Sequence, residues 1–148
     1  MSGRAVIPAL LEVGASVTVA DSDASSLEAC ADLGVDTVSM DSIATDRDAV
    51  AESALVVTSP GFRPDSPLLT TALTVGVPVW GDIEFSWRID QAEVYGPPRT
   101  WLVVTGTNGK TTTTSMLASV LDAAGVASAA GGNIGVPVVD ALRRDPRA

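Results

Sequence analysis

Lys110 and Thr111 stand directly behind a turn that carries two glycines, in the run Trp101-Leu102-Val103-Val104-Thr105-Gly106-Thr107-Asn108-Gly109-Lys110-Thr111-Thr112. Gly106 and Gly109 lack a Cβ, so the backbone there can curl until several N–H groups point at one anion. The residues that follow place Met116, Leu117, Val120, Leu121 and Ala124 at helical spacing. The turn therefore opens a helix, whose positive dipole end points at the same anion. Lys110 adds a full charge. The chemistry is that of a phosphate cradle: Lys110 on the β- and γ-phosphates of ATP, the Thr111 hydroxyl on magnesium, and Gly106, Thr107, Asn108, Gly109 and Thr112 completing the wall.

The signature is a variant one. In G-x-x-x-x-G-K-[ST] the first glycine would fall on Val104. A Gly-Lys-Thr tripeptide alone is a weak signal, and a solvated strand-to-helix turn with an incidental lysine is the plain alternative. The apolar run 101–104 before it, read as a strand, the helix after it and four threonines at 111–114 favour the phosphate site.

Composition narrows the chemistry. A net charge of −9 leaves no surface suited to a nucleic acid or an anionic membrane, because nothing would displace counterions from the polyanion. There is no histidine, so triads and imidazole general bases are excluded within this chain, and a metal must be held through oxygen. The single cysteine, Cys30, has no internal disulfide partner and fits a reducing compartment. No apolar run approaches the roughly 20 residues of a membrane-spanning helix, and no signal-peptide pattern opens the chain. A cytoplasmic protein is expected. With 46% hydrophobic residues, it has enough apolar side chains for a folded core.

Helices and strands alternate before the cradle. Helices are predicted at 4–13, with Pro8 inside and Gly14 as the stop, and at 26–33, 46–52, 66–75 and from Asp82 through Ile89. Strands are predicted at 16–20, 37–39, 54–58 and 77–80. Asp21, Ser22 and Asp23 follow the first of these strands, where a dinucleotide-type fold holds a sugar or base; Asp23 or Ser25 capping the next helix is the competing reading. Ser59, Pro60 and Gly61 form a sharp exit from the third strand, at the carboxyl end where doubly wound sheets bind ligands, although such a tripeptide is also a plain turn. Ser66 and Pro67 read as N-cap and first helical residue. Trp80, Trp87 and Trp101 read as core or interface aromatics.

Tyr95-Gly96-Pro97-Pro98-Arg99 is rigid and unpatterned, and marks a boundary between residues 1–98 and 99–148. Beyond the cradle, 125–130 reads as a short strand leading to Gly131-Gly132-Asn133-Ile134-Gly135, and a last helix runs from 136 or 137 to 142. The expected fold is α/β: a Rossmann-like doubly wound parallel sheet, then the start of a P-loop ATPase domain. Such a sheet normally begins with a strand, yet here Met1-Ser2-Gly3 leads directly into a helix. In strand order 3-2-1-4-5 the first strand is central, so the strands holding Val17 and Val56 would lack their shared neighbour, and a chain incomplete at its start is expected.

The loop Thr105–Thr112, followed by Gly132-Asn133-Ile134-Gly135 and preceded by Ser59-Pro60-Gly61 and Gly81-Asp82-Ile83-Glu84, resembles the Mur ligases of peptidoglycan synthesis, and among them the branch that adds D-glutamate. Asn108 argues against the L-alanine-adding branch, whose loop typically carries histidine there. The resemblance covers the whole chain. It implies a cytoplasmic ATP- and magnesium-dependent ligase, monomeric at full length, that joins D-glutamate to UDP-N-acetylmuramoyl-L-alanine through an acyl phosphate. It places Asp21, Ser22 and Asp23 near uracil, Ser59, Pro60 and Gly61 near the diphosphate or sugar, and Thr112 and Asn133 at the muramoyl substrate. It also places the remaining metal ligands and the D-glutamate domain beyond Ala148, so the chain alone is expected to be inactive. A non-catalytic UDP-sugar module, a redox Rossmann domain and a folylpolyglutamate-type ligase are the other readings. The redox reading lacks a Gly-x-Gly turn, and residues 1–98 argue against the folylpolyglutamate type.

Overall fold

The computed structural model describes residues 2–132 and 135–144. They form two compact units, Met1–Asp82 and Ile83–Ala148. The order is α1 (Ser2–Glu12), β1 (Thr18–Asp21), α2 (Ala24–Ala31), β2 (Asp36–Ser39), α3 (Met40–Ile43), α4 (Arg47–Ala51), β3 (Val56–Thr58), α5 (Pro67–Val75), β4 (Val79–Gly81), α6 (Asp82–Gln91), α7 (Lys110–Ala123) and α8 (Val138–Arg144).

In the first unit helices and strands alternate as the sequence predicts, apart from the additional α3 directly before α4. β1 pairs with β2 and β3 with β4, both parallel, in registers that set Val19 opposite Thr37 and Val57 opposite Trp80. Among the described residues no ladder joins the two pairs. Parallel strands need crossovers, and α2 and α5 supply them. The core of this unit gathers Ala44, Val50, Leu68, Ala72 and Val77, with Met40, Ile43, Val56, Val75 and Val79 packed around it. Ala72 is fully buried, and one residue earlier Thr71 donates its hydroxyl to the Ala44 carbonyl at 2.8 Å, which ties α5 to the end of α3.

Local chemistry explains the boundaries. Pro67 begins α5, and Gly76 ends it in the left-handed conformation (φ 80°), which a side chain would disfavour. Ser66 is the N-cap residue, but its hydroxyl makes no capping bond. Pro8 lies inside a continuous α1 that buries Val6, Ile7 and Ala9, so burial of that face outweighs the missing hydrogen bond. Helix α3 was not predicted; it is a single turn capped by Ser39, too short for a periodicity to register.

Two predicted strands do not form. Residues 101–104 enter no ladder among the described residues, and Leu102 and Val103 are 57% and 77% exposed. Apolar character makes a segment a candidate strand, but only a neighbour supplying backbone partners makes it one. Residues 126–130 are likewise irregular, and the strand predicted at 125–130 reduces to one parallel bridge between Gly131 and Val136. At that bridge a Cβ on Gly131 would lie 2.8 Å from Val138 Cγ2, so a side chain there would force Val138 to shift. In the second unit Phe85, Ser86, Asp90, Val139 and Leu142 are buried.

Candidate functional site

The predicted cradle spans Gly106 to Thr112. Gly109 is the N-cap of the fourteen-residue α7 and holds φ at 77°, a conformation strained for any residue with a side chain. Gly106 is also at positive φ, 150°. Because Gly109 has no capping side chain, the first N–H groups of α7 are left for another acceptor. Thr113 N–H closes the first turn on the Gly109 carbonyl at 2.9 Å.

Lys110 folds back over the loop, with Nζ 2.6 Å from the Gly106 carbonyl and 3.2 Å from that of Thr107. The ammonium is thus already at the cradle. Thr107, Asn108, Thr111 and Thr112 are all exposed around it. These features fit a polyphosphate: orphan donors, a cation and a hydroxyl on one turn. The Thr111 hydroxyl is the one ligand predicted for magnesium, and the described residues contain no group of three or more Asp, Glu, Cys or His side chains able to hold a metal. An ion here would take most of its oxygens from the phosphates. The apolar face predicted for α7 is only part-covered: Leu117 and Leu121 are half-buried, while Met116 and Val120 are 65% and 64% exposed.

In the first unit the predicted substrate residues sit at the carboxyl ends of two parallel strands. Asp21 ends β1, and its Oδ1 accepts the Asp23 N–H at 3.0 Å. Asp23 caps α2: its Oδ2 accepts Ser25 Oγ–H at 2.7 Å, Ser26 Oγ–H at 2.8 Å and Ser26 N–H at 3.0 Å. Hydrogen bonds from the Ser25 and Ser26 hydroxyls, then from the Ser26 amide, lower the Asp23 pKa. The capping reading of Asp23 is therefore realised, and Ser22 is exposed beside it.

Ser59, Pro60 and Gly61 follow β3. The first turn of α1 approaches them, since a Cβ on Gly3 would sit 3.6 Å from Ser59 Cβ. Ser59, Gly61, Phe62, Arg63, Ser66 and Pro67 help line an open cavity of about 590 Å³, within the range of small-molecule sites. Arg63 is held to Asp65 by a two-pronged pair at 2.9 Å on the exposed rim. Asn133 lies outside the described residues.

Sequence reasoning missed Asp90. Its carboxylate is buried on α6 (1% exposed) and accepts the Arg99 guanidinium at 2.6 Å, the Arg99 main-chain N–H at 3.0 Å and the Trp101 indole N–H at 2.8 Å. Burial pushes its pKa up, but the bonds from Trp101 and Arg99 together with the Arg99 charge outweigh it and hold the pKa below the usual value. The available signal was an acid in the last turn of an otherwise amphipathic helix, where the macrodipole disfavours it.

Comparison with known proteins places these residues in context. Residues 104–143 match the Mur ligase middle domain. The chain is 64% identical over 149 residues to UDP-N-acetylmuramoylalanine--D-glutamate ligase of Rhodococcus jostii, a match covering 100% of this chain and 30% of that protein. Enzymes of the same name from Nocardia farcinica and Corynebacterium diphtheriae are 54% and 51% identical, each over 99% of this chain and 30% and 31% of their own length. The chain thus spans about 30% of the length of the curated relatives it matches.

Proposed function

Starting from a chain that is homologous along its whole length to the D-glutamate-adding Mur ligases, we propose that Gly106–Thr112 is the ATP-binding loop of such a ligase. The observation that carries this is the cradle itself: left-handed Gly109 opening α7 without a capping side chain, with Lys110 turned over the loop. The ligase reaction belongs to a protein of the relatives' length, in which D-glutamate is joined to UDP-N-acetylmuramoyl-L-alanine. The proposed setting is the cytoplasm, with a monomeric enzyme of which residues 1–98 form the UDP-substrate domain and 99–148 open the ATPase domain. The 148-residue chain alone is expected to release no ADP in response to D-glutamate.

When bound, ATP with magnesium supplies the phosphoryl group that activates the substrate carboxylate as an acyl phosphate. The chain's part is positioning and charge. Lys110 exchanges the carbonyls of Gly106 and Thr107 for phosphate oxygens, a swap toward the stronger, charge-assisted partner. The N–H groups left open behind Gly109 donate to further phosphate oxygens. Thr111 would offer its hydroxyl oxygen to the metal; Thr112, one residue on, and Asn133 are assigned to the muramoyl substrate.

The UDP-substrate is assigned to the first unit. Support comes from the strand pairs: β1 with β2 and β3 with β4 are parallel, each joined through a crossover helix, the unit from which doubly wound sheets are built. Asp21, Ser22 and Asp23 lie at the carboxyl end of one pair and Ser59, Pro60 and Gly61 at that of the other, the edge at which doubly wound sheets bind nucleotides.

Titration calorimetry of the 148-residue chain with Mg-ATP tests the loop. Binding by the wild type and its loss in Lys110→Ala, with an unchanged melting temperature, is the expected result. Equal binding by both proteins would sink the assignment, and binding of the UDP-substrate with none of Mg-ATP would favour a non-catalytic UDP-sugar module.

A further inference from the structure

We propose that Asp90 is a positioning residue for the phosphate-binding loop: its buried carboxylate sets where the chain leaving Arg99 and Trp101 delivers Gly106–Thr111. The inference rests on the reading of that loop as an ATP cradle.

Three segments of the second unit converge on this carboxylate. The first is α6, which carries it. The second is the entry to the loop, gripped at the main chain through Arg99 N–H and two residues later through the Trp101 indole. The third is α8, because the guanidinium that bonds Asp90 Oδ1 also lies 3.4 Å from the Leu142 carbonyl, and 3.5 Å from that of Tyr95. From Trp101 onward no ladder holds residues 101–105 among the described residues, and Leu102 and Val103 are exposed. On its N-terminal side the loop is held through the Arg99 N–H, while at its other end the Thr113 N–H rests on the Gly109 carbonyl.

A purely structural role is a poor account of a buried charge here. Apolar side chains of similar volume commonly stabilise as well as a buried ion pair or better. What a carboxylate adds is direction: two oxygens, each with preferred approach geometry, set the orientation of an amide, an indole and a guanidinium at once. Phosphoryl transfer depends on placement, and a misplacement of about 1 Å costs orders of magnitude in rate.

The test uses the 148-residue chain with three substitutions. Asp90→Asn removes the charge while keeping one acceptor oxygen; Trp101→Phe removes a single N–H and keeps the aromatic ring. Val50→Ala, in the core of the first unit, is the control for lost stability. Mg-ATP affinity, melting temperature and amide hydrogen exchange over residues 101–112 are measured for each. Asp90→Asn and Trp101→Phe are expected to weaken Mg-ATP by about threefold to thirtyfold and to speed exchange in 101–112. Val50→Ala lowers the melting temperature and changes neither. Lower melting temperatures with wild-type affinity and wild-type exchange in 101–112 would overturn the proposal. Should the wild type bind no Mg-ATP, the cradle reading fails, and exchange alone decides whether Asp90 positions the segment: faster exchange in Trp101→Phe upholds it, unchanged exchange refutes it.

Discussion

Asp23 and Asp90 are two aspartates whose carboxylates each accept three hydrogen bonds and each hold a lowered pKa, yet they are built in opposite ways. Asp23 is exposed and takes its donors from Ser25 and Ser26, two and three residues ahead. Asp90 is buried and takes its donors from Arg99 and Trp101, nine and eleven residues ahead, across a turn containing Gly96, Pro97 and Pro98. The first is a local motif that would form in any chain with that tetrapeptide before a helix. The second exists only because α6 and the loop entry are held side by side. Equal numbers of hydrogen bonds therefore carry different consequences: one starts a helix, the other locates a segment of the second unit.

The contrast is sharpest under truncation. Asp90→Ala leaves the Arg99 guanidinium, whose side chain is only 17% exposed, facing an emptied site. Removing one partner of a buried pair costs about 3 to 5 kcal/mol, and urea unfolding of the second unit should register a loss on that scale. Little or no change would mean that water replaces the carboxylate and that the burial is less complete than it looks. Asp23→Ala removes an exposed cap, and the fall in melting temperature should be clearly smaller, confined to exchange-detected fraying of α2. An equal fall would dissolve the distinction between the two sites.

Acid titration separates them more gently. Both folded-state pKa values lie below the unfolded aspartate value of about 3.9, so both groups contribute stability that is complete above that value. That contribution is lost as pH falls through each folded pKa. The unfolding free energy of the wild type should decline below about pH 4, and Asp90→Asn should flatten that decline more than Asp23→Asn. The opposite ranking would show that the exposed cap carries more of the linkage than the buried node.

Much of the candidate site was legible because it is short-range. Gly109 before Lys110, Ser66 before Pro67 and the Asp23–Ser26 turn are decided by backbone sterics and by donors a few residues away; each stands at the start of its helix, although the Ser66 hydroxyl makes no capping bond. The alternation of helices and strands over residues 4–89 followed from periodicity for the same reason. Two apolar runs misled: 101–104 and 125–130 are apolar enough for strands, but the pairing that makes a strand comes from residues far away.

The sequence by itself therefore determined the glycine turn that opens α7, the capping turns and the alternating α/β order, since each depends on side-chain types within one turn or one strand. Only the tertiary structure decided that Asp90 is buried and three times hydrogen-bonded. It also decided that α7 leaves Met116 and Val120 exposed, and that Lys110 rests on the Gly106 and Thr107 carbonyls. Burial and the choice among competing hydrogen-bond partners are properties of what surrounds a residue. A residue's type limits those partners, and the folded chain selects among them.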